Sequence, residues 1–523
     1  RQKFSDYLHL LVNNSFIPKI NLPTRFARKN ASLIDHIFCK MTSTTDINKV
    51  KSGILVNNTS DHFATFVFIK NSSKHKSPPK NVKVFSKDET SIQNFCQELA
   101  GTNIMQKLDL SEAADPNTNY NILEKVITHA KDEHLPVKIK KFNKYKRKLN
   151  PWMSSDIMKS IHFRDNLHKE LKCTPLGTHC YFEKQHNLRV YNSLLKHNIR
   201  LAKQNYYKNL FTKFKDDIKK TWDTVNLVMN RTPNKKSVPD ALLIDGVEIS
   251  EQITIVDKFN KYFANIGPAL ASEIDTSGKK HFTAYLNQSV EHRFSFHQIT
   301  TADISKIIAD FESKTSTGYD CLSVKLLKRI APHILLPLTT VINQSFSKGI
   351  FPDNLKIAKV IPLFKKGDNK IIDNYRPISL LPAISKVYEK AAYNQLYEYF
   401  QKHKLFYSSQ YGFRKAHSTE LACLELIDRV LQQLDKGDLS IAVFIDLSKA
   451  FDTLDHHILL TKLAHYGILD SSLSWFQSYL SNRKQFVQID DTSSTQLQMV
   501  TGVPQGSILG PLLFIIYVND IQN

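Results

Sequence analysis

The run Ile441-Ala-Val-Phe-Ile445, followed at once by Asp446, restricts the fold of this chain more than any other feature. Five consecutive apolar residues leave no face for solvent, so the pattern predicts a central strand covered on both sides. Asp446 then stands where a buried strand delivers its last side chain to the edge of a sheet. A carboxylate there costs free energy unless it is paired or bound to a cation. Two readings fit: a ligand for Mg²⁺ offered from a strand end, or an Asp that caps the turn. A helix is predicted from about Asp455 to Gly467, with the glycine as its C-terminal stop.

Over 523 residues, 71 Lys and Arg stand against 49 Asp and Glu, a net charge of +22. Such a surplus favours a polyanionic partner, because each neutralised phosphate releases condensed counterions; a basic chain indifferent to nucleic acid has the same composition. No apolar run approaches the ~20 residues of a membrane span, and the opening Arg-Gln-Lys lacks the pattern of a signal peptide. That opening, without Met, reads as a piece of a longer protein or a trimmed one. Cys39, Cys96, Cys173, Cys180, Cys321 and Cys423 are scattered without a CxxC pair, which fits a reducing interior better than a zinc or redox site.

Residues 1–70 hold two β-like runs, Leu33–Phe38 and Phe63–Ile69. A polar break with Pro78-Pro79 opens a basic and mainly helical stretch, 71–240, read as a linker. Within it Lys138–Lys148 interleaves cations with aromatics, a composition that suits phosphate contact or nuclear import. The apolar residues Tyr207, Phe211, Phe214, Ile218, Trp222, Val225 and Met229 recur at helical steps, predicting one amphipathic helix whose stripe packs in a core. From 241 to 523 strand-like and helical segments alternate, as in an α/β or α+β domain.

Further motifs bear on Asp446. Gly502-Val-Pro-Gln-Gly-Ser507 is a glycine-bounded loop followed by an apolar helix, Ile508–Val518. Upstream come Thr317–Ser323, Val360–Asp368, Asn374–Pro382 and Gln410–Thr419, each by itself an ordinary turn. In this order they resemble the finger and palm motifs of reverse transcriptases, most closely those of non-LTR retrotransposons of the jockey and CR1 kind. The resemblance implies right-hand polymerase fingers and a partial palm over 241–523. It implies that Asp446, with the carbonyl of Leu447, binds the catalytic Mg²⁺ (or Mn²⁺). Phe451 becomes the gate against a ribose 2′-hydroxyl, and Gln505 the glutamine beside the incoming dNTP. Lys365, Lys366 and Arg376 become finger cations on the triphosphate, where charge accumulates during transfer, and Arg414 a contact to template or finger backbone. Asp452 and Asp455 are expected as caps.

In such enzymes a Tyr/Phe-Ala-Asp-Asp box follows the glutamine loop, and none stands before Asn523. Two-metal chemistry needs carboxylates from both motifs to hold ions ~3.5–4 Å apart. The resemblance therefore implies that these 523 residues, without that box or a thumb, do not polymerise DNA by themselves.

Near the start, Pro23-Thr-Arg25, Ser32–Phe38 and Ser60-Asp-His62 follow in order. An Asp and a His on adjacent strands can pair so that the carboxylate orients the imidazole; a surface His beside an exposed Asp has the same spelling. The trio resembles the C-terminal edge of the β-sandwich of an apurinic-endonuclease-like domain. On that match His62 stabilises the attacked phosphate, Asp35 orients His62, and Asp61 lies beside the metal and water, in a remnant too short to nick DNA. Target-primed reverse transcription, with an element RNA template, a target DNA primer and dNTPs, follows from the resemblance. So does passage through cytoplasm and nucleus, without a membrane partner. Two other readings share features: a degenerate or domesticated nucleic-acid-binding protein, and an intron maturase, which would lack the Asp35/His62 pair.

Overall fold

A computed structural model describes residues 2–27, 30–40, 50–56, 62–69, 81–85, 88–141, 150–175, 177–229, 239, 241–244, 246–274, 280–286 and 290–521. Internal contacts divide the chain into two units, 1–82 with 139–234, and 83–138 with 235–523.

The first unit is built from short antiparallel pairs and long helices. Phe16–Pro18 pairs with Phe38–Lys40, Arg25–Ala27 with Asn30–Ser32, and Val50–Leu55 with Ala64–Ile69. The expected strand at 33–38 is thus confined to its last residue, because Thr24 Oγ1 accepts from the amides of Ile34 and Asp35 and bends the chain there. Helix Ser155–Cys173 packs against helix His179–Lys213. The single helix expected over 207–229 is two: the second, Ile218–Val228, restarts where the Asp217 side chain accepts from the Lys220 amide at 3.0 Å. Its stripe is not a core, since Ile218 and Trp222 are exposed.

The second unit centres on a five-stranded sheet. Ile357–Phe364 pairs antiparallel with Tyr375–Leu380 and parallel with Arg483–Ile489, and the last carries Thr492–Ser493 and Leu497–Met499. Helix Gln252–Ser272 covers one face, burying Val256, Phe259 and Phe263 against Val360, Tyr375 and Val487. The main core lies around helix Val324–Lys348, where Leu327, Ile330, Ile334 and Leu338 are fully buried. There Phe346 meets Trp475 edge-on, Phe351 meets both Trp475 and Tyr479 edge-on, and Trp475 stacks on Tyr479.

Two differences from expectation stand out. Helices Glu89–Gly101 and Pro116–His134 lie inside the stretch read as linker, yet Phe95, Leu99, Tyr120, Leu123 and Ile127 enter this core. Their three- and four-residue spacing marks a buried face, which the basic composition of the surrounding stretch obscures. Ile441–Ile445 is not a strand: 439–447 is irregular, with Phe444 83% and Ile445 81% exposed. A strand exists only through its ladder partners, and none of the five strands pairs with this run. Helix Thr419–Asp435, which precedes it, has no buried residue either.

Among the described residues no helix is long and apolar enough to cross a membrane, and the six cysteines are free.

Candidate functional site

The turn after Asp446 and the loop Gly502–Ser507 are clasped together by backbone. The Gly502 amide donates to the Leu454 carbonyl at 2.7 Å and the Val503 amide to the Phe451 carbonyl at 2.9 Å. Gly502 has φ +78°, and a Cβ there would stand 2.7 Å from the Phe451 carbonyl, so a side chain would part the two segments. His456 Nε2 meets the Gly502 carbonyl at 2.8 Å, and burial lowers the imidazole's affinity for a second proton. On the other side the Gln505 carbonyl accepts from the Ser379 amide at 2.9 Å, fixing the loop to the sheet.

Asp452, expected as a cap, has a different task. Its buried carboxylate accepts from Gln505 Nε2 at 2.9 and 2.7 Å. Burial raises its pKa, opposed by the Gln505 amide and by Lys449. Asp455 does cap helix His456–His465, accepting from the Ile458 amide at 2.9 Å. Phe451 stacks on Phe514 at 5.0 Å and meets Phe413 edge-on. A hollow lined by Pro377, Ser379, Asp452, Arg483, Gln485 and Gln505 lies beneath the loop.

Lys365 and Lys366 sit exposed at the tip of the hairpin that joins Ile357–Phe364 to Tyr375–Leu380. The Lys365 amide closes this turn on the Asn374 carbonyl at 2.8 Å. Arg376 is exposed on the opposing strand, across from Leu363, so the register gathers the three cations at one end of the hairpin. Arg414 turns inward instead: its Nη1 donates to the carbonyls of Tyr407 and Gln410, and its guanidinium lies 5.2 Å from the Phe406 ring. Nη1 is thereby spent on shaping the 406–414 loop, while the buried Nε has no partner among the described residues.

Asp446 is exposed in the irregular segment, beside the half-exposed Leu447. Oxygen donors of this kind suit a hard divalent ion. The group of three metal-binding side chains found among the described residues is elsewhere, at Glu98, Glu133 and His134.

Glu389 has a role that sequence reading missed. Fully buried, it accepts from the amides of Ile508 and Leu509 at the start of helix Leu509–Tyr517. Burial raises its pKa, opposed by Arg483 and by those two amides. Nothing in Ser385-Lys-Val-Tyr-Glu389 announces a buried carboxylate; only its four-residue step from Ser385, whose hydroxyl reaches it at 3.3 Å, hints at a polar pair on one helix face.

In the first unit, His62 Nδ1 and Asp35 Oδ2 are 2.9 Å apart, so the pair expected from sequence is brought together. Hydrogen bonding to Thr24, and then to His62, holds the Asp35 carboxyl below its ordinary range. Asp61 lies outside the described residues.

Residues 364–523 match the family described as reverse transcriptase (RNA-dependent DNA polymerase). Over 230 residues the chain is 32% identical to a probable RNA-directed DNA polymerase from transposon BS of Drosophila melanogaster, covering 43% of this chain and 25% of that protein. It is 28% identical over 238 residues to the RNA-directed DNA polymerase from mobile element jockey of the same species, covering 45% and 26%. It is likewise 28% identical over 243 residues to a probable RNA-directed DNA polymerase from transposon X-element, again covering 45% and 26%. The matches thus span about a quarter of each of these relatives.

Proposed function

We propose that this chain, whose residues 364–523 belong to the reverse transcriptase family, is part of an RNA-directed DNA polymerase of a jockey-like non-LTR retrotransposon. The observation that carries this reading is that one continuous match spans 364–523, the segment that holds Lys365, Lys366, Arg376, Asp446, Phe451 and Gln505. An element RNA as template, a nicked target DNA as primer and dNTPs as substrates belong to the same proposal. So do a linked endonuclease, of which Asp35 and His62 are a remnant, and passage through cytoplasm and nucleus.

Reverse transcriptases work with divalent metal ions, and the oxygen donors of Asp446 and Leu447 suit Mg²⁺, with Mn²⁺ as substitute. Such ions supply Lewis-acid stabilisation of the charge that builds up during phosphoryl transfer. The protein's own share is positioning. Lys365, Lys366 and Arg376 hold the triphosphate from the hairpin tip. Phe451, braced by Phe514, stands against a 2′-hydroxyl. Asp452 takes both hydrogen bonds from the Gln505 nitrogen, leaving the amide oxygen as acceptor toward the nucleotide.

Equilibrium binding of Mg²⁺-dTTP and Mg²⁺-UTP tests the gate. Tighter binding of the deoxynucleotide is expected, with the preference narrowed by Phe451→Val. Equal affinities in both proteins would overturn the role of Phe451.

A further inference from the structure

Helix Ala383–Lys402 carries Lys386, Lys390, Tyr393 and Tyr397 at steps of four, three and four residues, one stripe along one side. The two tyrosine rings stack, with centroids 5.5 Å apart and planes 14° from parallel. Lys390 Nζ lies 4.4 Å from the Tyr393 ring, and Lys415 Nζ lies 5.4 Å from the Tyr397 ring. The Tyr397 hydroxyl accepts from the Lys415 amide at 3.0 Å, tying the 411–418 loop to the helix. A surface groove here is lined by Lys306, Lys390, Lys402 and Lys415, with Asp310 and Glu398 as its carboxylates.

Neither Lys390 nor Lys415 is within ion-pair distance of a carboxylate among the described residues. Burial, and then the neighbouring Lys415, disfavours the charged form of Lys390, opposed in part by Asp310. Burial likewise disfavours the charged form of Lys386, further along the stripe, opposed by Glu389 and Asp320 and reinforced by Lys314. Partly desolvated like charges held together destabilise a free protein, and an anion seated among them reverses that. The rings beneath fix the ammonium groups in place, so the groove is ordered before anything binds.

We infer that this groove binds the phosphodiester backbone of a nucleic-acid strand, with Lys390 and Lys415 as its central phosphate contacts. The inference rests on the reading of the chain as acting on nucleic acid. It assigns a second surface, since none of the residues given to the nucleotide site lines this groove. The aromatic rings lie under the cations, so the contact is to backbone and tolerates any sequence.

The test is fluorescence anisotropy of labelled single-stranded RNA, single-stranded DNA and an RNA–DNA duplex, titrated with the 523-residue chain at stepped salt. Each lost single-strand phosphate contact lowers the slope of log affinity against log salt by about 0.7. The double variant Lys390→Gln/Lys415→Gln should therefore lose about 1.4 in slope and bind about ten-fold more weakly at ~0.15 M salt. Lys325→Gln/Lys436→Gln, which removes the same charge at exposed positions elsewhere, should keep the wild-type slope, as should the charge-retaining Lys390→Arg/Lys415→Arg pair. Should the double variant fold poorly, Lys415→Gln alone, at an exposed position, should lose about 0.7. Preference among the probes identifies the strand: RNA points to a template, DNA to a primer. Salt-sensitive binding that the lysine variants leave unchanged would overturn the groove and spare the polymerase reading. Failure of the wild-type chain to bind any of the three would overturn both.

Discussion

Replacing Glu389 should loosen the start of helix Leu509–Tyr517, and with it the loop that holds Gln505. The buried carboxylate accepts from Ile508 and Leu509, two of the amides that a helix start leaves without a partner inside the helix. Glu389→Ala orphans both at about 1–3 kcal/mol each. The two losses sum to about 2–6 kcal/mol, and we take the middle of that range, about 3–5 kcal/mol, for the variant. Glu389→Gln keeps the shape and one acceptor oxygen, so about 1 kcal/mol is expected from the lost charge alone. Two units make global unfolding a poor reporter, so the assay is hydrogen exchange over 505–517, which reads local opening. At about 1.4 kcal/mol per ten-fold, Glu389→Ala should lower protection of the Ile508 and Leu509 amides by a few hundred- to a few thousand-fold. Glu389→Gln should lower it by about ten-fold or less. A loss under ten-fold in the Ala variant, or equal losses in the two variants, would refute the assignment of Glu389 as the cap of this helix.

Burial raises the Asp320 carboxyl from 3.8 to about 6. The folded form thus holds its proton more tightly than the unfolded one, so this contribution is complete below pH 3.8 and is lost as the pH rises through about 6. Asp320→Asn should remove that pH dependence and stabilise the second unit at pH 7.5 by about 1–3 kcal/mol; a destabilised variant in a denaturant titration would contradict it. Phe444→Ser should cost under ~0.5 kcal/mol, because the ring is exposed in this chain, whereas a loss of several kcal/mol would mean that 441–445 is packed. Finally, His62→Ala removes one of the hydrogen bonds that hold the Asp35 carboxyl low, so an NMR titration should find its pKa raised, and an unmoved Asp35 would contradict the pairing.

Much of this was legible in sequence where the signal is local. The helix capped by Asp455 and ended near Gly467 follows from short-range stereochemistry, as does the apolar helix after Ser507. The Asp35–His62 contact was legible because turn and strand punctuation placed the two on neighbouring segments. What stayed hidden depends on partners distant in the chain. Asp452 has the sequence context of a cap, and only the arrival of Gln505, 53 residues later, makes it a buried acceptor. Arg414 has the context of an exposed cation, yet the fold of its own loop offers it two carbonyls. The apolar run 441–445 shows the opposite failure: it has every local property of a strand except a neighbour to pair with.

The most direct test is Mg²⁺-dependent incorporation of labelled dNTP on an RNA template with a DNA primer, run alongside Mg²⁺-dependent dNTP retention, for this chain and its Asp446→Ala variant. The expected result is dNTP retention, and any incorporation, by the wild type alone, with salt-sensitive RNA binding by both. Retention or incorporation unaffected by Asp446→Ala would contradict the assignment of Asp446.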